Sequence, residues 1–282
     1  MNRLLIKLLA PVLALYPISL NGQQFSDEEI QQRSTRTERI DVGGYKLHFR
    51  VTDGVLPAIV FESGGGLDST EWRAVQELVR INLNNAAVSY SRSGMGQSAR
   101  SQSDLSPEPY DIETEVRALR SGLNTLGLAD NINYVGHSYG AFLLDVYTDL
   151  YPDPILGLLY VEPNSIEYVN ATGGPEKILN EFESDNLPNS DYAIAIAKQT
   201  LASKEVFDRV SAIQAADRNC LVITAGIKWF DNEEQNEIWR TAHEHLAESC
   251  GTELIVAEGD NHAVPFLSPH LILDKVQELL RH

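Results

Sequence analysis

The segment Gly136-His137-Ser138-Tyr139-Gly140 sets a serine between two glycines, after the apolar run NINYV and before AFLLDVY. A serine hydroxyl is a weak nucleophile until a base takes its proton. Gly-x-Ser-x-Gly between a strand and a helix makes a sharp turn that exposes the hydroxyl at the end of a sheet. The small flanking residues let the backbone adopt that strained shape. The chemistry on offer is attack on a carbonyl carbon. It also needs a base, a carboxylate to orient the base, and N–H donors for the oxyanion.

Seven histidines compete for the role of base. His262, in GDNHAV, stands after the last strand-like segment and before the last helix, the best placement for reaching a sheet edge. His137 adjoins the serine but must point elsewhere in a tight turn, and His48 lies in an N-terminal hairpin. His243 and His245 are two apart on a helical segment, so they do not share a face. HEHLAE also lacks the His-Glu-x-x-His zinc spacing, and both are expected on a solvated helix surface. His270 and His282 read as surface groups near the terminus. Neither a metal nor an organic cofactor is expected.

The elements that must position these groups are legible as alternating runs. TERIDVGGYKLHFRVTD shows two alternating segments around Gly43-Gly44, a hairpin pattern. PAIVFE, AAVSYS, NINYVGH, ILGLLYV, LVITA and ELIVA are short apolar runs of the kind found in strands buried on both faces. Helical periodicity separates them: Trp72, Val75, Leu78 and Val79 in one segment, then Ile112, Val116, Leu119, Leu123 and Leu126 in another, closed by Gly127. Tyr139–Tyr151 and a stretch around Glu234–Glu248 read as further helices. The last begins at Ser268-Pro269, a cap followed by proline at the first helical position. Strands alternating with helices predict an α/β fold with a mostly parallel sheet covered on both faces.

Residues 163–219 contain no strand-like run, and so long a piece is read as a helical cap or lid over the carboxyl edge of the sheet. Tyr168, Phe182, Tyr192 and Phe207 would line a pocket there or form the cap's own core. Residues 1–24 have the order of a secretory signal: Arg3 and Lys7, an apolar run broken by Pro11 and Pro17, then polar Asn21 to Gln24. The alternative is a membrane-tethered N-terminus. Residues 25–37 would be an arm, with the core formed by 38–162 and 220–282. Export permits a disulfide. Cys220 precedes LVITA and Cys250 precedes ELIVA. If those strands are parallel neighbours, both sulfurs lie at one edge, which predicts a bridge.

The 282-residue chain is 43% hydrophobic, enough for a sizeable core, and its net charge is −18. That acidity argues against nucleic acid and against anionic membrane surfaces as partners. It favours solubility and says little about the substrate.

FESGGG, YSRSGMGQS, GHSYG and GDNHAV, in this order after successive strands, make the chain resemble the α/β-hydrolase family over about residues 40–282. Ser91 stands where that family's Asp-Arg-x-Gly-x-Gly-x-Ser loop has its aspartate. The resemblance implies a Ser138-His262-acid triad. It leaves two places for the acid: Glu162, at the end of the strand after the nucleophile helix, or Asp231, near the usual site after the strand that follows the cap, where the expected slot holds Trp229. Oxyanion donors would be the N–H of Tyr139 and one from ESGGG, at Gly64 or Gly65. The activity implied is that of a serine hydrolase cleaving a small-molecule ester, lactone or amide, which is the partner the resemblance implies. An aminopeptidase-like enzyme or a non-catalytic ligand-binding protein on the same scaffold are the alternatives. Dehalogenase chemistry is disfavoured, because it needs Asp where Ser138 stands.

Overall fold

Each short apolar run becomes a strand whose successive side chains feed two cores. In the strand Val55–Glu62, Ile59 and Phe61 enter one cluster and Val60 the other. Tyr134 and Val135, Leu158 and Leu159, and Val222 and Ile223 divide in the same way. A strand covered on both faces must be apolar at every position, so these runs do not alternate. The computed structural model describes residues 33–98, 111–174, 176–177, 201–206 and 219–281. The expected signal segment lies outside them, as do Phe182, Tyr192, Phe207 and most of the expected cap.

The strands are β1 (Thr35–Asp41), β2 (Lys46–Thr52), β3 (Val55–Glu62), β4 (Asn85–Ser91), β5 (Ile132–His137), β6 (Ile155–Val161), β7 (Cys220–Ala225) and β8 (Ile255–Ala257). They form one sheet in the order β1-β2-β4-β3-β5-β6-β7-β8. The β1–β2 hairpin and the β2–β4 pair are antiparallel, and every pair from β4 to β8 is parallel. The last strand is shorter than the apolar run ELIVA suggests.

The helices are α1 (Arg73–Asn82), α2 (Ile112–Leu126), α3 (Gly140–Leu150), α4 (Ile166–Ala171), α5 (Glu233–Ser249), α6 (Val264–Leu267) and α7 (Pro269–Leu279). Side chains of α1 and α7 pack into one core, while those of α2, α3 and α5 pack into the other. The Asp111 side chain caps α2 by accepting from the Thr114 N–H, and Gly127 closes the helix in the left-handed conformation with φ 69°. Pro269 opens α7 as expected, but Ser268 makes no capping hydrogen bond through its side chain. Its φ/ψ of −125°/56° lies outside the extended range typical of a capping residue.

Parallel strands deliver all their carboxyl ends to one edge. Chain order reverses there: β4 lies on one side of β3 and β5 on the other. Such a switch point opens a crevice where ligands bind on sheets of this kind. The loop after β3 and the turn after β5 meet at it. Cys220 at the start of β7 and Cys250 at the end of α5 form a disulfide with Cα atoms 5.3 Å apart. Cys250 belongs to the helix terminus rather than to the start of β8. Among the described residues no helix is long and apolar enough to cross a membrane.

Candidate active site

The hydrogen bonding of β5 runs on past its last residue. Ser138 N–H donates to Val161 O of β6 at 3.1 Å while the serine itself turns left-handed, with φ 51°. A non-glycine residue there is strained by about 1–2 kcal/mol. The turn is tight because α3 begins at once. A Cβ added to Gly140 would lie 2.8–2.9 Å from Glu62 and Ser63 atoms, so only glycine fits. The result is a serine held at the head of a helix with its side chain facing the crevice.

Three side chains far apart in sequence converge there. His262, in the loop after β8, has Nε2 2.9 Å from Ser138 Oγ, positioned to accept the hydroxyl proton. Its Nδ1–H donates to Glu162 Oε2 at 2.9 Å. Glu162 follows β6 directly and is also left-handed, with φ 47°. Its N–H continues the ladder to Ile223 O of β7 at 2.7 Å.

Glu162 is buried and fully partnered. Ala225 N–H donates to Oε1 at 2.6 Å, Trp239 Nε1–H donates to Oε2 at 3.2 Å, and the Thr224 hydroxyl lies 3.0 Å from Oε1. Burial alone would raise its pKa. The His262 hydrogen bond, the nearby His243, and the Ala225 N–H outweigh that and hold it at about 2. Burial pushes the His262 pKa below its ordinary value, with the Glu162 bond offsetting only part of the fall. A neutral imidazole beside an ionised carboxylate is the state a base needs before it accepts a proton. Trp229 stacks on the His262 ring at 3.8 Å with the planes 3° apart, and Trp239 meets it edge-on at 5.8 Å.

Asp231 is exposed and takes no part in this network. It precedes Asn232, whose side chain caps α5. His243, expected on the solvated surface of a helix, is instead fully buried. Its Nε2–H donates to Pro163 O at 2.8 Å, and its Nδ1 lies 3.0 Å from the Thr224 hydroxyl. The side chain therefore braces the turn that carries Glu162. The helical spacing of the buried Asn236, Trp239, His243 and Ala247 was the available signal. His245, on the other face, is exposed as expected and pairs with Glu167 at 2.7 Å. Tyr168 is buried against Phe230 and Trp239, so it belongs to the core.

The glycine loop after β3 is fixed from below by a buried ion pair. Glu62 contacts Arg92 at 2.6 Å and accepts from the hydroxyls of Tyr90 at 2.5 Å and Tyr134 at 2.8 Å. Arg92 in turn donates to Ser63 O and Gly64 O, each at 2.5 Å. In a trans peptide the N–H points opposite to the C=O. Arg92 thereby aims the Gly64 N–H and the Gly65 N–H away from itself. The first of these goes to Glu71 Oε2 at 2.8 Å, which leaves Gly65, on an exposed residue, facing outward. None of Arg92, Glu71, Thr224 or Trp239 stood out as a site residue in the sequence. Among the described residues no group of His, Cys, Asp and Glu is arranged to hold a metal ion.

Parallel sheet, switch-point crevice and a serine on a strand-to-helix turn define an α/β-hydrolase architecture. The chain belongs to the alpha/beta hydrolase family, whose model matches residues 59–275. No protein of curated function matches it. Among solved structures it is similar to a thermophilic esterase from Thermogutta terrifontis, at 19% identity and TM-score 0.62, over 89% of this chain and 98% of that one. It is similar to an E-2-(acetamidomethylene)succinate hydrolase at 17% identity and TM-score 0.58, over 88% of this chain and 100% of the other. An epoxide hydrolase matches at 14% identity and TM-score 0.60, over 88% and 99%. The names differ in the bond cleaved, so the likeness defines the fold and leaves the chemistry to the site.

Proposed function

We propose that the protein is an exported serine hydrolase that cleaves a carboxylic ester, lactone or amide through an acyl-enzyme. The observation that carries this reading is the unbroken hydrogen-bond path Ser138–His262–Glu162, with both links at 2.9 Å. Ser138 Oγ attacks the carbonyl carbon as its proton passes to His262 Nε2. Glu162 holds the imidazole in the Nδ1–H tautomer and stabilises the imidazolium that forms. The oxyanion is received by the N–H groups of Tyr139 and Gly65. His262 then protonates the leaving group. Water, deprotonated by the same imidazole, attacks the acyl carbon and frees Ser138.

Export is part of the proposal. It rests on the basic, apolar, polar order of residues 1–24 and agrees with the Cys220–Cys250 bridge, since disulfides persist in oxidising compartments. The test is labelling with a fluorophosphonate followed by peptide mapping. The adduct is expected on Ser138, and Ser138→Ala is expected to lose both label and turnover. A folded protein that takes up no label while Ser138 is intact would remove the reading.

A further inference from the structure

A second buried carboxylate–imidazole pair lies behind the triad, and the mechanism above makes no use of it. Glu71 sits in the turn before α1, and His137 is the last residue of β5; both are buried. Glu71 Oε1 and His137 Nδ1 are 2.6 Å apart. Glu71 Oε2 accepts the Gly64 N–H at 2.8 Å. His137 Nε2–H donates to the backbone carbonyl of His262 at 2.8 Å. These contacts form one path from the glycine loop after β3 to the backbone of the base. Fit is close along it, since a Cβ on Gly64 would lie 2.8 Å from His137 Nδ1.

We propose that Glu71 and His137 are positioning residues that set the distance between the oxyanion loop and the His262 loop, an inference that rests on the serine-hydrolase reading. A buried ion pair is a poor source of stability, because desolvating two charges offsets most of their attraction. What this pair does is join two loops that come from opposite ends of the chain. Burial lowers the His137 pKa, but the charge of Glu71 beside it outweighs that, and the net shift is upward. The upward shift favours a proton on Nδ1, which faces the Glu71 carboxylate as an ion-pair contact without hydrogen-bond geometry, while Nε2–H serves the His262 carbonyl.

The test compares Glu71→Leu with Glu71→Gln in the full chain. Leucine fills similar space and breaks the path at both carboxylate oxygens. Glutamine restores it: its amide oxygen accepts from Gly64, and its amide nitrogen donates to a neutral His137 that still donates to His262 O. Active sites are counted by fluorophosphonate titration, so that only reactive molecules enter the rates. E71L is expected to lower the phosphonylation rate constant and kcat per titrated site by about 10- to 100-fold, the effect of misplacing a reacting group by a fraction of an ångström to 1 Å. KM should change less than about threefold, since no substrate contact is removed. E71Q should recover most of the loss.

A merely structural role predicts fewer titratable sites, each reacting at the wild-type rate, and that result overturns the proposal. So does E71Q behaving like E71L. If E71L does not fold, Gly64→Ala inserts its methyl against His137 without touching Glu71, and wild-type rates in G64A overturn the proposal equally. Wild-type protein that takes no label at all is a different failure: it removes the hydrolase reading, and the positioning role with it.

Discussion

Two neighbouring strands end in the same way, one visibly and one silently. After β5, Ser138 turns left-handed at φ 51° while its N–H still bonds to β6. After β6, Glu162 turns left-handed at φ 47° while its N–H still bonds to β7. The two turns lie side by side on one sheet edge and aim their side chains at the same imidazole. Only the first carries a motif. The elbow at Ser138 runs straight into α3, whose first turn presses on Glu62 and Ser63, and that crowding demands glycine at 140. The turn at Glu162 runs into Pro163 and a short loop before α4, and no glycine stands within three residues of it. The glycine pattern therefore reports how tightly a helix follows the turn, and the strained residue itself leaves no mark.

The sharpest way to break this comparison is to remove the function of the silent turn. Glu162→Gln keeps size and loses charge. On the proposed mechanism it cuts kcat by about 10⁴-fold, as asparagine does at the acid of a Ser-His-Asp triad. Asp231→Asn, on the exposed residue before α5, should stay within about twofold of wild type. Steady-state kinetics on one ester substrate decides between them. An inverse ranking would return the acid to the loop after β7 and make the Glu162 geometry incidental.

A smaller effect tests whether the crowding belongs to the elbow alone. Gly140→Ala adds a methyl 2.8–2.9 Å from Glu62 and Ser63 atoms. It should destabilise the fold by about 1–3 kcal/mol, the range for overpacking a well-filled interior. Denaturant unfolding measures it, and a neutral result would mean the elbow relaxes freely. Smaller again for catalysis is Thr224→Val, which deletes the hydroxyl between Glu162 Oε1 and His243 Nδ1 and keeps the shape. Loss of one hydrogen bond to a buried carboxylate is worth about 1.5–3 kcal/mol. If roughly half of that reaches the transition state, kcat falls about 4- to 13-fold.

The sequence was most informative where physics acts locally. Runs such as ILGLLYV are apolar throughout because both faces of the strand are covered, so the parallel sheet and the strand order of motifs could be read directly. Ser138 and His262 could be singled out as candidates because each follows a strand in a recognisable loop. The partners of Glu162 could not. Thr224, Ala225, Trp239 and His262 come from β7, α5 and the loop after β8, and nothing local in any of them marks a shared contact. His243 departs from the surface placement expected of it for a simpler reason. Two histidines two apart must lie on different faces, so one of them faces inward, and the stripe through Asn236, Trp239 and Ala247 identifies which. Glu71 and Arg92 are charged residues in loops, ordinarily solvated. Only the close approach of three loops at the switch point buries them.

The last expected effect is read as stability rather than rate, and it distinguishes an acid held ionised from one merely nearby. Hydrogen bonds and the neighbouring imidazoles keep Glu162 at about 2, against an ordinary 4.5, despite its burial. A carboxylate whose pKa is depressed by folding binds its proton more weakly in the native chain than in the unfolded one. The stability this gives is full above the unfolded value and is lost as pH falls through the folded one. Glutamine does not titrate, so the stability of the wild type relative to Glu162→Gln reports this group below about pH 4.5, and the histidines it touches above that. The difference should shift toward the wild type as pH falls through the histidine range, because Glu162 raises the pKa of both His262 and His243, and then against the wild type between about 4.5 and 2. Thermal or urea unfolding of both proteins across that window measures it, with changes at other carboxylates common to the two and cancelling. A difference that stays level between about pH 4.5 and 2 would mean that Glu162 is not held ionised by its partners. The turn after β6 would then be strained without being charged, and its likeness to the serine elbow would be one of backbone shape alone.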